Sequence, residues 1–187
     1  MKLHDFIGIT NARVSGEIER AELVPTDKSE MCGSNSILFI YRKLDGQYST
    51  SPENIPSDLT AVVCDADYPI PQIGLVLRVN DVRMAYSYAH YLHNGLDTSK
   101  MRLIAVTGTN GKTTTATLIH EILQYSGIKC GFIGTGKIMI GTEDITENNY
   151  SMTTPDPALL YRALGEMERF GCEAAVMEVS SHSIALG

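Results

Sequence analysis

The sequence has 187 residues, too long for one small domain and short for two large ones. Its hydrophobic fraction of 43% and charged fraction of 20% belong to a chain that buries a core, and no apolar run approaches the roughly 20 residues of a membrane span. A net charge of −7 argues against the clustered basic face of a nucleic-acid binder.

The opening residues Met1 to Gly8 show no long apolar stretch followed by a small-residue cleavage site, so no signal peptide is expected. Cys32, Cys64, Cys130 and Cys172 contain no CxxC pair. Free thiols in a reducing, cytoplasmic compartment are expected rather than a structural zinc site, with Cys64 and Cys130 inside apolar runs.

In chain order, residues 1 to about 97 read as a small mixed α/β domain. Residues 36–41, 60–64 and 74–79 are apolar, β-branched strand candidates separated by turn residues, among them the loop 67–71. Asn80 or Asp81 is placed to cap a helix running to about His93. Asn94-Gly95-Leu96-Asp97-Thr98-Ser99 is turn-rich and marks the domain boundary.

Residues 98–187 change character. Strand 103–107 runs into a glycine-rich turn, then a helix from Lys112 to about Ser126, stopped by Gly127. Leu118, Ile119, Ile122 and Leu123 form the apolar face expected to pack inward. A strand at 130–134 completes a βαβ unit, so a parallel sheet is expected. Residues 141–151 read as a hairpin tip or loop. Asp156-Pro157 starts a helix with Leu160, Leu164 and Met167 as its buried stripe and Gly171 as its stop; strand 174–179 follows.

The turn Gly108-Thr109-Asn110-Gly111-Lys112-Thr113-Thr114 is an anion cradle. Its glycines let backbone N–H groups converge, and the helix N-terminus adds positive charge. Lys112 supplies a cation for the β- and γ-phosphates of ATP, and Thr113 a hydroxyl for Mg²⁺. The general P-loop pattern wants glycine where Val106 stands; Gly108 lies only three residues before Gly111, so the loop is a shortened variant. Glu178 ends an apolar strand in the same domain, where strand C-termini meet at the ligand crevice, and is the second candidate for Mg²⁺. His182 is a further metal candidate. Lys112 and Glu178 are the catalytic candidates.

The segment Thr107 to Thr115 resembles the ATP loop of the Mur ligase family, the amide-bond-forming enzymes of peptidoglycan precursor assembly. Folylpolyglutamate and cyanophycin synthetases share this loop. Thr153-Thr154-Pro155-Asp156-Pro157 and the block Met177 to Gly187 are similar, in order and separation, to those of the family's ligase that adds the third stem-peptide residue. In the first domain, Thr26-Asp27-Lys28-Ser29, Leu38-Phe39 and Asp45-Gly46 correspond to the family's uridine-binding segment, with its Ser-Arg pair replaced.

The resemblance implies that ATP phosphorylates the terminal carboxylate of a UDP-muramoyl dipeptide and that an amino acid then attacks the acyl phosphate. It implies that Thr153, Thr154 and Ser180 hydrogen-bond the dipeptide. In the family a carbamylated lysine and a third domain follow, so the sequence reads as an N-terminal fragment whose parallel sheet is incomplete and which has little ligase activity alone. A regulatory ATPase, a nucleotide-binding module and a polyglutamate synthetase are the alternatives.

Overall fold

The computed structural model describes residues 1–16, 22–70, 74–97, 99–147, 150–181 and 183. The chain divides into two compact units, Met1–Asn94 and Gly95–Gly187.

In the first unit, α1 (Leu3–Thr10) precedes the short strands β1 (Arg13–Ser15) and β2 (Val24–Thr26). Then come β3 (Ser36–Ile40), β4 (Ala61–Cys64), β5 (Leu75–Arg78) and α2 (Val82–Asn94). The sheet runs β1-β5-β4-β3-β2; β2 to β5 are parallel and β1 pairs antiparallel with β5. Alternation along the strands splits the core into two faces. Ile37, Phe39, Val63 and Leu77 pack with Phe6 of α1 and Tyr86 of α2, where Phe39 meets Phe6 edge-on at 5.8 Å. Leu38, Ile40, Val62, Cys64 and Val76 pack with Leu59 and Tyr68 on the other face. Asp81 is the residue that starts α2: its Oδ1 accepts the Met84 N–H at 2.9 Å.

In the second unit, β6 (Arg102–Val106), α3 (Lys112–Tyr125), β7 (Cys130–Gly134), β8 (Lys137–Ile140), β9 (Glu143–Asp144), α4 (Pro157–Arg169) and β10 (Ala174–Glu178) follow in order. The sheet runs β6-β10-β7-β8-β9. β6, β10 and β7 are parallel, as the βαβ pattern requires, while β8 and β9 add antiparallel strands, so the sheet is mixed. The stretch expected to be a loop from residue 141 therefore contributes β9, with residues 148 and 149 outside the described set.

Both helices end as their sequences dictate. Asp156 Oδ1 accepts the Leu159 N–H at 3.0 Å with Pro157 in the first turn, and Gly171 leaves α4 at φ +75°. After α3, Gly127 takes φ +79° and its N–H bonds the Gln124 carbonyl.

The inward face of α3 differs from the expected one. Ile119 and Leu123 pack on Cys130, Phe132, Ala174 and Val176 together with Ala116. Leu118 and Ile122 are 53% and 62% exposed. At 100° per residue the 118/122 and 119/123 rows lie a quarter turn apart, and the buried row is set by Ala116 and His120 facing the sheet. On α4, Leu164 and Met167 are buried, and Met167 lies so close over Gly131 that any Cβ there would collide with its sulfur.

Candidate nucleotide-binding site

The site forms where β6 and β10 end side by side, the Val179 N–H bonding the Val106 carbonyl at 2.9 Å. The chain leaves β6 and turns through Gly108, at φ +149°, and Gly111, at φ +76°, conformations that favour glycine. Gly111 occupies the N-cap of α3, and no side chain caps that end. The N–H groups of the first helical turn are thus presented to the exposed loop Thr107 to Gly111, together with the helix dipole. Thr109, Asn110 and Thr114 are exposed around this cradle. Lys112 folds back over it, its Nζ donating to the Gly108 carbonyl at 2.9 Å.

Glu178 is fully buried at the end of β10. Its Oε2 accepts the Thr113 hydroxyl at 2.9 Å, and its Oε1 the Thr135 N–H at 3.1 Å. The Thr135 hydroxyl lies 3.4 Å from Oε2. No cationic side chain pairs with this carboxylate among the described residues. A buried carboxylate held, among the described residues, only by neutral donors has the chemistry to take a hard cation, and Thr113 and Glu178 would be the residues to hold it. Gly134 makes room for it: a Cβ there would collide with Glu178 Oε1 and the Phe132 ring.

The two adjacent threonines differ. Thr154 is buried; its hydroxyl donates to the Glu178 carbonyl at 3.1 Å and accepts the Ser180 N–H at 3.0 Å and the Ser183 hydroxyl at 3.2 Å. It thus fixes the turn after β10, with its one proton already used. Thr153 is half-buried and faces Thr135, the hydroxyls 3.1 Å apart. Ser180 Oγ accepts the Ser183 N–H at 3.1 Å, and its own proton has no acceptor among the described residues. His182 lies outside the described residues.

Residues 106–187 match the model of the Mur ligase middle domain. Over 135 residues the chain is 44% identical to UDP-N-acetylmuramoyl-L-alanyl-D-glutamate–2,6-diaminopimelate ligase of Chlorobaculum tepidum. This chain belongs to the Mur ligase family.

The Mur ligase match covers 71% of this chain and 26% of the Chlorobaculum protein. The protein of the same name from Chlamydia trachomatis serovar D aligns over the whole chain at 30% identity, and the chain spans 38% of its length. Among solved structures, a UDP-N-acetylmuramoyl-L-alanyl-D-glutamate–2,6-diaminopimelate ligase superposes on the entire chain with a TM-score of 0.75 at 20% identity, covering 37% of that protein. A UDP-N-acetylmuramoylalanyl-D-glutamyl-2,6-diaminopimelate–D-alanyl-D-alanyl ligase from Acinetobacter baumannii gives 0.56 at 19% identity. At these identities the structural likeness concerns the fold.

Two further residues stand out near this corner. Thr135 touches both Glu178 and Thr153; its sequence signal was a Gly-Thr-Gly turn between two apolar strands. Tyr150 carries a buried hydroxyl with no hydrogen-bond partner among the described residues. Burial, then the negative charges of Glu178 and Asp156, push its phenol up to about 12, so it stays protonated.

Proposed function

We propose that this chain carries the ATP-binding part of a ligase of peptidoglycan precursor synthesis, one that adds an amino acid to UDP-N-acetylmuramoyl-L-alanyl-D-glutamate through an acyl phosphate. The observation that carries the proposal is the Thr113–Glu178 contact beside an uncapped helix N-terminus. Bringing a carboxylate onto a triphosphate sets anions against each other, and this corner supplies what offsets them. The N–H groups from Gly108 to Thr114 cradle the phosphates. Lys112, which needs only to leave the Gly108 carbonyl, follows the charge developing on the transferred group. Thr113 and Glu178 would hold Mg²⁺, which would supply charge to offset that of the phosphate oxygens. Thr153 and Ser180, each with a hydroxyl proton to offer, orient the acceptor dipeptide, while Thr154 sets the backbone that carries Ser180.

In the first unit we assign the UDP portion to the C-terminal ends of the parallel strands, the usual crevice of such sheets. There Asp27 accepts the Tyr41 and Tyr86 hydroxyls at 3.3 Å, and Arg83 stacks over the Tyr41 ring at 4.2 Å. Of the two family options, diaminopimelate and lysine, the names of the relatives support 2,6-diaminopimelate as the incoming amino acid. Because those relatives are more than twice as long, the 187 residues alone are expected to turn over little; phosphate release matching that of a whole relative would contradict this.

The test is a calorimetric titration with UDP-N-acetylmuramoyl-L-alanyl-D-glutamate and, separately, with folate. Binding of the first and not the second is expected. Folate binding, or ATP hydrolysis indifferent to the UDP-sugar, would replace the proposal with a polyglutamate synthetase or a plain ATPase.

A further inference from the structure

Thr135 stands in the two-residue turn between β7 and β8, followed by Gly136 at φ +66°. Its backbone N–H and its side chain face the same carboxylate, and its hydroxyl also faces Thr153. A threonine hydroxyl has one proton and two lone pairs. Here that proton has two acceptors within reach, Thr153 Oγ1 at 3.1 Å and Glu178 Oε2 at 3.4 Å. Glu178 Oε2 already receives the Thr113 hydroxyl at 2.9 Å. The residue itself is exposed whereas Glu178 is wholly buried, so Thr135 lies between the buried carboxylate and the open side of the site.

We propose that Thr135 is a positioning residue whose hydroxyl joins the nucleotide end of the site, at Glu178, to the acceptor end, at Thr153. The role rests on the ligase reading above and deepens it. With Glu178 Oε2 engaged at the nucleotide end, the Thr135 proton turns wholly to Thr153 Oγ1. Thr153, now an acceptor from Thr135, directs its own proton outward as a donor to an oxygen of the acceptor substrate. With the nucleotide end empty, the Thr135 proton is shared between the two acceptors and Thr153 has no fixed direction. The two ligands therefore strengthen each other's binding, and by linkage the coupling is reciprocal.

The test measures affinity for UDP-N-acetylmuramoyl-L-alanyl-D-glutamate with and without saturating Mg²⁺ and the non-hydrolysable nucleotide AMP-PNP. The unsubstituted chain, Thr135→Val and Thr135→Ser are compared. Nucleotide should tighten the unsubstituted chain by roughly 2- to 10-fold, the worth of one hydrogen bond. Thr135→Ser should keep that ratio. Thr135→Val, isosteric and with its N–H to Glu178 intact, should bring it close to one without lowering the melting temperature. An unchanged ratio in Thr135→Val, or an equal loss in Thr135→Ser, overturns the role of Thr135 while leaving the ligase reading intact. Absence of AMP-PNP binding by the unsubstituted chain overturns both.

Discussion

Each unit ends a set of parallel strands in carboxylates, and the two ends are finished differently. In the first, Asp65 accepts the Tyr48 hydroxyl at 2.9 Å and the Tyr68 N–H at 2.9 Å, and pairs with Arg42 at 3.2 Å; Arg42 also reaches Asp67 at 3.0 Å. Arg78 donates to the Asp65, Ala66 and Tyr68 carbonyls and stiffens that turn. In the second, Glu178 is buried with no cationic partner among the described residues, beside a helix end without a side-chain cap. The protein itself neutralises the first end. Among the described residues the second end has no such partner, and it is there that the proposed metal and nucleotide would bind.

The largest effect expected is at the anion cradle. Lys112→Ala should weaken AMP-PNP binding by roughly 10- to 100-fold, the range for hydrogen bonds to charged groups, with the melting temperature nearly unchanged. Normal affinity, or unfolding, would remove Lys112 from the role assigned to it. Gly134→Ala should drive a Cβ into the Glu178 carboxylate and the Phe132 ring. A loss of about 1–3 kcal/mol in urea unfolding, accompanied by a weaker Mg²⁺ response, is expected; a neutral result would mean that Glu178 is not confined as described.

Asp65→Ala orphans the Tyr48 hydroxyl and the Asp67 and Tyr68 N–H groups and should cost about 1–3 kcal/mol while leaving nucleotide affinity untouched. If it altered nucleotide binding, the contrast between the two ends would fail. The smallest effect is alkaline. Burial pushes the Cys64 and Cys130 thiols from 9.0 to about 11. As pH rises past 9 the unfolded chain loses those protons first, so stability should fall between pH 9 and about 11. A melting temperature flat across that window would show that the thiols are not buried in the native state.

The parts of this architecture legible in the sequence are those with local causes. Asp81 and Asp156 cap the helices they precede, and Gly127 and Gly171 stop theirs, because each bond closes within a few residues. The glycine loop was legible for the same reason. α1, β1 and β2 carry no such signal: three-residue strands such as Arg13–Ser15 have no readable period, and their pairing is fixed by distant partners. The inward face of α3 is not fixed by its sequence pattern, because two apolar rows adjoin on the helix and only the sheet chooses between them. Within the site, Thr113 and Glu178 are 65 residues apart and Thr135 and Glu178 are 43 apart. The first pair could be guessed from strand-end logic. The second, and the division of labour between Thr153 and Thr154, required the folded arrangement.

The central claim is that Glu178 is a buried carboxylate awaiting a cation delivered with nucleotide. It is tested most directly by AMP-PNP affinity with and without Mg²⁺ in the unsubstituted chain and in Glu178→Gln. Mg²⁺ should tighten the unsubstituted chain about tenfold or more, and Glu178→Gln hardly at all. An equal Mg²⁺ enhancement in the two would contradict the account.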